Sequence, residues 1–177
     1  MDYFELYGLP VTFNPDQKLV KHKFYELSKK YHPDFYINEP IEKQDEVLEH
    51  STLNNKAYQV LSDDQKRLHY ILALKGYLIE GENHVLPQSF LMDMMDINEA
   101  LMELQFEPDV AKLEALKKEI DHVEQCITAE LGTLTVAFDT QDALQQESAL
   151  AAIKDLYYRN KYLLRIRESL AKMESSL

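Results

Sequence analysis

The chain has 177 residues, enough for one medium domain or two small ones with a buried core. It contains only four glycines and six prolines, which argues against a turn-rich β protein and predicts an all-α fold. The net charge of −12 argues against nonspecific binding to nucleic acid or to an anionic membrane surface, because both require clustered lysines and arginines.

A short N-terminal helix in DYFELYGL is followed by a longer amphipathic helix over residues 14 to 31. Asn14 is the predicted N-cap and Pro15 the first helical residue. One face of this helix is apolar and predicts core contacts, through Val20, Phe24, Leu27 and Tyr31. The opposite face is basic and consists of Lys18, Lys21, His22, Tyr25 and Lys29.

The basic helix stops at the tripeptide His32-Pro33-Asp34. Pro33 cannot continue a helix, and it moves His32 toward extended geometry. Asp34 is expected to accept backbone N–H groups in the turn that follows. An ordinary turn beside an ordinary solvated face would explain these residues, and only their context favours a function.

Helical patterning resumes near Lys43 and continues to Leu61, and Asp63 with Asp64 caps a shorter helix that ends at Gly76. Residues 1–75 are therefore the first predicted domain, and residues 76–86, with two of the four glycines, the predicted linker. Residues 1–75 carry 10 basic and 12 acidic residues, a net charge of −2, whereas residues 76–177 carry 9 and 19, a net charge of −10.

Residues 87–177 are predicted to form an antiparallel three-helix bundle, the second domain. Pro87 opens a helix that continues to about Phe106, and Pro108 opens a second one that ends near Phe138. A third helix starts near Thr140 and carries a seven-residue apolar repeat typical of bundles, formed by Ala149, Leu156, Leu163, Leu170 and Leu177.

The first bundle helix has more apolar residues than one core-facing stripe requires. That stripe consists of Phe90, Met94, Ile97, Leu101 and Leu104. A second set lies beside it, Leu91, Met92, Met95 and Met102, bordered by Asp96, Glu99 and Glu103. Either this set packs on a neighbouring helix, or it is an adaptable surface for a partner protein.

The location of the protein follows from what the sequence lacks. Cys126 is the single cysteine, so neither an intramolecular disulfide nor a paired-cysteine metal site is expected. No apolar run approaches the roughly 20 residues that span a bilayer, and the N-terminus is not a secretory signal. We therefore expect a cytoplasmic protein without a cofactor.

The order of these elements, with the basic helix, the HPD tripeptide, NKAYQVL and a QKR-containing helix, resembles the J-domain of the DnaJ co-chaperones. The resemblance covers roughly residues 1–75. It implies that His32, Pro33 and Asp34 stimulate the ATPase of a DnaK-type chaperone. It also implies that the chaperone docks on a basic face formed by Lys18, Lys21, His22 and Lys29, and that this chain is not itself an enzyme.

The segments MDYFELYGLP, STLNNKAYQVL and KRLHYILALKG are similar to the HscB-type co-chaperones of iron–sulfur cluster assembly. FLMDMMDINEAL is similar to the FLMEQLELREEL element of that family. The resemblance implies an L-shaped two-domain adaptor for a DnaK- or HscA-type ATPase and an IscU-like scaffold protein. The implied scaffold site is Leu91, Met92, Met95, Asp96, Glu99, Glu103 and Tyr158.

The sequence departs from the family pattern at four positions. Phe35 follows HPD where J-domains often carry lysine, and Met95 and Asp96 replace a leucine and a glutamate. Asn54 occupies a position where an aliphatic residue is expected, so we expect its neighbours to repack and solvate it.

Two alternatives stay open at the level of sequence. A generic J-protein would use the acidic bundle for another client. A metal-dependent hydrolase would use His22, His32, Asp34 and His50, since histidine and aspartate are good ligands for zinc or iron.

Overall fold

The computed structural model describes residues 1–176, which form seven α-helices and contain no strand. The predicted all-α class is confirmed. The chain divides into two compact units, Met1–Gly76 and Tyr77–Leu177. The first contains α1 (Tyr3–Tyr7), α2 (Gln17–Lys30), a 3₁₀ helix (Pro33–Tyr36), α3 (Ile41–Leu61) and α4 (Asp64–Leu74). The second contains α5 (Gln88–Phe106), α6 (Val110–Phe138) and α7 (Ala143–Ser176).

Helix α2 begins two residues later than the sequence suggested. Its N-cap is Asp16, whose carboxylate accepts the backbone N–H of Lys18 at 2.9 Å. Asn14 lies outside the helix, where its own N–H donates to the hydroxyl of Thr12 at 3.1 Å. The prediction of Asn14 as N-cap is therefore wrong. Asp16 satisfies one of the free N–H groups of the first turn and places a negative charge at the positive end of the helix.

The core of the first unit is apolar, with Asn54 as a buried polar exception. Only 1% of Asn54 is exposed, and neighbouring protein groups rather than water satisfy its amide. The Tyr7 hydroxyl donates to its Oδ1 at 2.8 Å, and its Nδ2 donates to the Phe24 carbonyl and the Ser28 hydroxyl, each at 3.1 Å. Because these bonds replace those to water, Asn54 joins α1, α2 and α3 without an unsatisfied amide.

Arg67 of α4 is a second buried polar side chain in the same unit. Its guanidinium donates to the carbonyls of Phe13 at 2.8 Å and Leu61 at 2.7 Å, and it pairs with Asp64. The Leu61 carbonyl lies in the last turn of α3, where intrahelical partners are missing. Arg67 therefore ties the end of α3 to the loop before α2.

The second unit is the predicted antiparallel three-helix bundle. Lys117 and Asp121 of α6 pair with Glu174 and Arg167 of α7, so rising numbers on one helix meet falling numbers on the other. The seven-residue repeat is buried at Ala149, Leu156, Leu163 and Leu170, and Leu177 lies outside the described residues. The core-facing residues of α5 are all buried, from Phe90 to Leu104.

The two later bundle helices begin slightly after the predicted positions. Asp109 caps α6, and Asp142 caps α7 by accepting the N–H of Gln145 at 2.9 Å. The side chain of Gln145 accepts the N–H of Asp142 in return, at 3.1 Å, so the two residues form a capping box. None of the helices within residues 1–176 combines the length and apolar character needed to cross a bilayer.

Candidate functional site

The basic face, Lys18, Lys21, His22 and Lys29, lies on the exposed side of α2. All four side chains are exposed, whereas Val20 on the opposite side is completely buried. His22 lies 4.0 Å from Glu26, but Lys18, Lys21 and Lys29 form no ion pair with another residue of 1–176. These three lysines are therefore available to an acidic partner.

The HPD tripeptide forms a structured turn rather than a simple helix break. His32 caps the 3₁₀ helix Pro33–Tyr36, and its Nδ1 accepts the backbone N–H of Asp34 at 3.3 Å. Histidine, not aspartate, is therefore the side-chain acceptor in this turn, contrary to the expectation for Asp34. Because Nδ1 accepts, a neutral His32 carries its proton on Nε2. The side chains of His32 and Asp34 are 51% and 78% exposed.

Two tyrosines that were not predicted as part of the site, Tyr36 and Tyr31, hold this turn against α2 and α3. The hydroxyl of Tyr36 donates to the Lys30 carbonyl at 2.7 Å, at the end of α2. The ring of Tyr31, directly before His32, stacks on His50 of α3 with centroids 4.5 Å apart. The only sequence signal was the presence of aromatic residues on both sides of HPD. Phe35 is 73% exposed beside His32, with ring centroids 5.5 Å apart.

The second candidate surface lies mainly on α5, with one residue from α7. We call it the methionine face, and its predicted residues are Leu91, Met92, Met95, Asp96, Glu99, Glu103 and Tyr158. Met92 and Met95 are 59% and 66% exposed, and the neighbouring Met102 is 61% exposed. Neither α6 nor α7 covers them, so packing within the bundle does not explain these residues. Asp96, Glu99 and Glu103 are also exposed, so the methionines are available beside an acidic edge.

Tyr158 of α7 joins the methionine face through Leu91. Both residues are half-buried, and they line one groove together with residues 82–86. Tyr158 packs flat on His84, while the ring of Tyr157 meets Tyr158 edge-on at 5.2 Å. The geometry thus brings Tyr158 and Leu91 to one groove, whereas the other five residues extend along the exposed side of α5.

A polar network fixes residues 82–86, within the predicted linker, to α7. His84 Nε2 lies 2.9 Å from one carboxylate oxygen of Asp155, and Arg159 donates to the other at 2.7 Å. The guanidinium of Arg159 in turn lies over the Phe90 ring of α5, 5.5 Å from its centroid. Lys154 donates to Glu82 at 2.7 Å, and this hydrogen bond lowers the pKa of the Glu82 carboxyl.

The four residues of the metal-hydrolase alternative do not come together. His22 lies by Glu26, His32 caps its own turn beside Asp34, and His50 stacks on Tyr31. Across residues 1–176, no cluster of three or more histidine, cysteine, aspartate or glutamate side chains is arranged to hold a metal ion.

Two known protein families match the chain, and the boundary between the two matches lies close to the boundary between the two compact units. Residues 2–70 match the family described as DnaJ domain. Residues 86–171 match the family described as HSCB C-terminal oligomerisation domain. The first match contains α1 to the greater part of α4, and the second contains α5, α6 and most of α7.

Solved structures resemble the chain along its whole length. The chaperone HscB from Vibrio cholerae is 26% identical, with a TM-score of 0.68, and the match covers 100% of this chain and 99% of that one. The human co-chaperone protein HscB is 25% identical, with a TM-score of 0.74, and the match covers 100% of this chain and 84% of the human one. The chain thus belongs to the HscB-type J-domain co-chaperones and acts as a J-protein with an Hsp70 chaperone in iron–sulfur cluster assembly.

Proposed function

We propose that the HPD turn and the basic face bind a DnaK- or HscA-type chaperone and stimulate its ATP hydrolysis. The main observation is that His32 and Asp34 are exposed directly after the helix that carries the basic face. Clustered cations steer an acidic partner to this face and give the encounter its orientation. The HPD turn would then reach the chaperone at a defined position relative to α2.

We propose further that the methionine face binds an IscU-like scaffold protein. Methionine side chains adapt to irregular partner surfaces, and exposed apolar groups beside charged ones are typical of binding sites. Met92 and Met95 meet both conditions, because Asp96 and Glu99 border them on the same helix. The scaffold would thus contact apolar side chains and an acidic edge at the same time.

The action of the protein is coupling rather than catalysis. A chain that holds both partners makes the second encounter intramolecular and so raises the effective concentration of scaffold at the chaperone. We place the protein in the cytoplasm, because a reducing compartment suits a chain whose one cysteine, Cys126, is an exposed free thiol.

The chaperone assignment is tested by the ATPase rate of a DnaK- or HscA-type chaperone. We expect His32→Gln to abolish the stimulation and to leave scaffold binding unchanged. His122→Gln, on the exposed side of α6, is the matched control and should stimulate normally. Lys21→Glu should raise the concentration needed for half-maximal stimulation, whereas Lys56→Glu on α3 should not. Full stimulation by His32→Gln would contradict the assignment.

The scaffold assignment is tested by calorimetric titration of an IscU-like scaffold into the full chain. We expect the double substitution Met92→Ala, Glu99→Ala to weaken binding about tenfold or more, as for the central residues of an interface. Leu144→Ala with Glu114→Ala is the matched control, because both residues are exposed and lie outside the methionine face. A chain that stimulates the chaperone but binds no scaffold would serve another client.

A further inference from the structure

A groove of about 450 Å³ lies between residues 82–86 and helix α7. Leu91 of α5 contributes to its lining, and α7 contributes Tyr158, Lys161, Tyr162 and Arg165. The part of the lining outside residues 82–86 therefore combines an aliphatic residue, two phenol rings and two cations. Tyrosine and arginine are enriched at protein interfaces, because each offers a large contact area together with hydrogen-bond donors.

The wall of the groove is held in place before any partner arrives. His84 is stacked on Tyr158, with centroids 4.7 Å apart and planes inclined by 13°. Its imidazole also contacts Asp155 at 2.9 Å, and Glu82 is paired with Lys154 at 2.7 Å. A preformed wall lowers the ordering cost of binding, since the lining residues need not be immobilised by the partner.

The two cations of the groove, Lys161 and Arg165, differ in their ion pairing from the neighbouring basic residues of α7. Lys154, Arg159 and Arg167 each pair with a carboxylate of this chain. Lys161 and Arg165 are exposed, lie one helical turn apart, and form no ion pair with any residue of the described 1–176. This is notable because residues 76–177 carry 19 acidic residues against 9 basic ones. Two unpaired cations at this spacing suit a carboxylate of another molecule.

We propose that this groove takes an acidic segment of the same scaffold protein that binds the methionine face. A carboxylate of that segment would pair with Lys161 and Arg165, and an apolar neighbour would enter between Leu91 and the tyrosine rings. Leu91 and Tyr158 belong to both surfaces, so the groove continues the methionine face and needs no separate partner. The inference rests on the proposed function.

The arrangement gives the scaffold one orientation. Asp96, Glu99 and Glu103 are acidic and exposed on α5, whereas the groove next to them offers Lys161 and Arg165. A scaffold with a basic region for the first set and an acidic segment for the second matches both only one way round. The reverse orientation would bring like charges together, which costs affinity.

The test measures binding of an IscU-like scaffold to the full chain by calorimetry at low and at moderate salt. We expect Lys161→Glu and Arg165→Glu each to weaken binding about tenfold, by removing one attraction and adding a repulsion. Lys118→Glu is the matched control, because it makes the same change in net charge at an exposed position on α6 outside the groove. We expect less than about a twofold effect from it.

Neutral variants guard against an effect on folding. Lys161→Met and Arg165→Gln remove the positive charge and keep an unbranched side chain. Each should lose part of the affinity and part of its salt dependence while thermal unfolding stays unchanged. Equal losses in Lys161→Glu and Lys118→Glu would overturn the proposal, because net charge alone would then explain them.

Two further outcomes separate this inference from the proposed function. If Lys161→Glu and Arg165→Glu bind the scaffold like the wild type while Met92→Ala, Glu99→Ala does not, the groove has no role and the methionine face stands. If the wild type binds no scaffold, both fail. Self-association that Lys161→Glu abolishes, with scaffold affinity unchanged, would mean that the groove takes a second copy of this chain, and would also overturn the proposal.

Discussion

The imidazole of His84 lies flat on the phenol ring of Tyr158, with the two planes 13° apart and the centroids separated by 4.7 Å. The stack joins a residue of the predicted linker to a residue of the proposed scaffold site. The same imidazole contacts Asp155, so it is held from two sides. His84 is thus a positioning residue for Tyr158.

We expect His84→Ala to weaken scaffold binding about threefold to tenfold, because a stacked aromatic pair contributes roughly 0.5–1.5 kcal/mol beyond its buried area. Stimulation of the chaperone in the absence of scaffold should not change. His84→Phe should restore part of the affinity, since it keeps the ring but loses the contact to Asp155. An affinity equal to that of the wild type in His84→Ala would show that Tyr158 needs no such support.

Tyr36→Phe should reduce the maximal stimulation of the chaperone ATPase about threefold to fivefold, which corresponds to one hydrogen bond. The substitution removes the 2.7 Å bond between the Tyr36 hydroxyl and the Lys30 carbonyl, and with it the tie between the HPD turn and the end of α2. Tyr3→Phe on α1 is the matched control. A fall in thermal stability without any change in stimulation would assign Tyr36 to folding alone.

Asn54→Ala should lower the free energy of unfolding by about 2 kcal/mol, because the Tyr7 hydroxyl loses its Oδ1 acceptor and the amide bonds to α2 disappear. Urea denaturation measures the effect. Asn55→Ala, exposed on the same helix, should change it by less than about 0.5 kcal/mol. In a double-mutant cycle with Tyr7→Phe, additive effects would contradict a direct contribution from this hydrogen bond.

The free energy of unfolding should decrease at alkaline pH because Tyr7 is buried. Desolvation raises the pKa of its hydroxyl far above the usual value, and the nearby Tyr58 adds to the shift. Above pH ~10 the unfolded chain loses this proton while the folded chain keeps it, so the free energy of unfolding falls as pH rises. Urea denaturation between neutral pH and pH ~11 should show a smaller fall in Tyr7→Phe than in the wild type. Equal slopes would contradict the shift.

Residues whose role depends on local spacing were predictable. The buried stripe of α5 and the seven-residue repeat of α7 follow from helical periodicity. Asp63 was predicted to cap the start of α4 and Gly76 to end it, and both lie at those positions. The candidate site was recognisable through HPD and FLMDMMDINEAL because both are continuous segments. The prediction of Asn14 as N-cap failed because Asn14, Pro15 and Asp16 are all typical of a helix start. The sequence does not show which side chain accepts a backbone N–H of the first turn, and in the structure it is Asp16.

Local sequence patterns predict the all-α class, the amphipathic faces and most of the two exposed candidate surfaces, because these features depend on side chains a few residues apart in the chain. Packing between elements establishes that Asn54 is buried and bonded, that Tyr36 ties the HPD turn to the end of α2, and that His84 stacks on Tyr158. Asn54 and Tyr7 are 47 positions apart, Tyr36 and Lys30 are 6 apart, and Tyr158 and His84 are 74 apart. No periodicity in the chain encodes such pairs, since they arise when separate elements pack together.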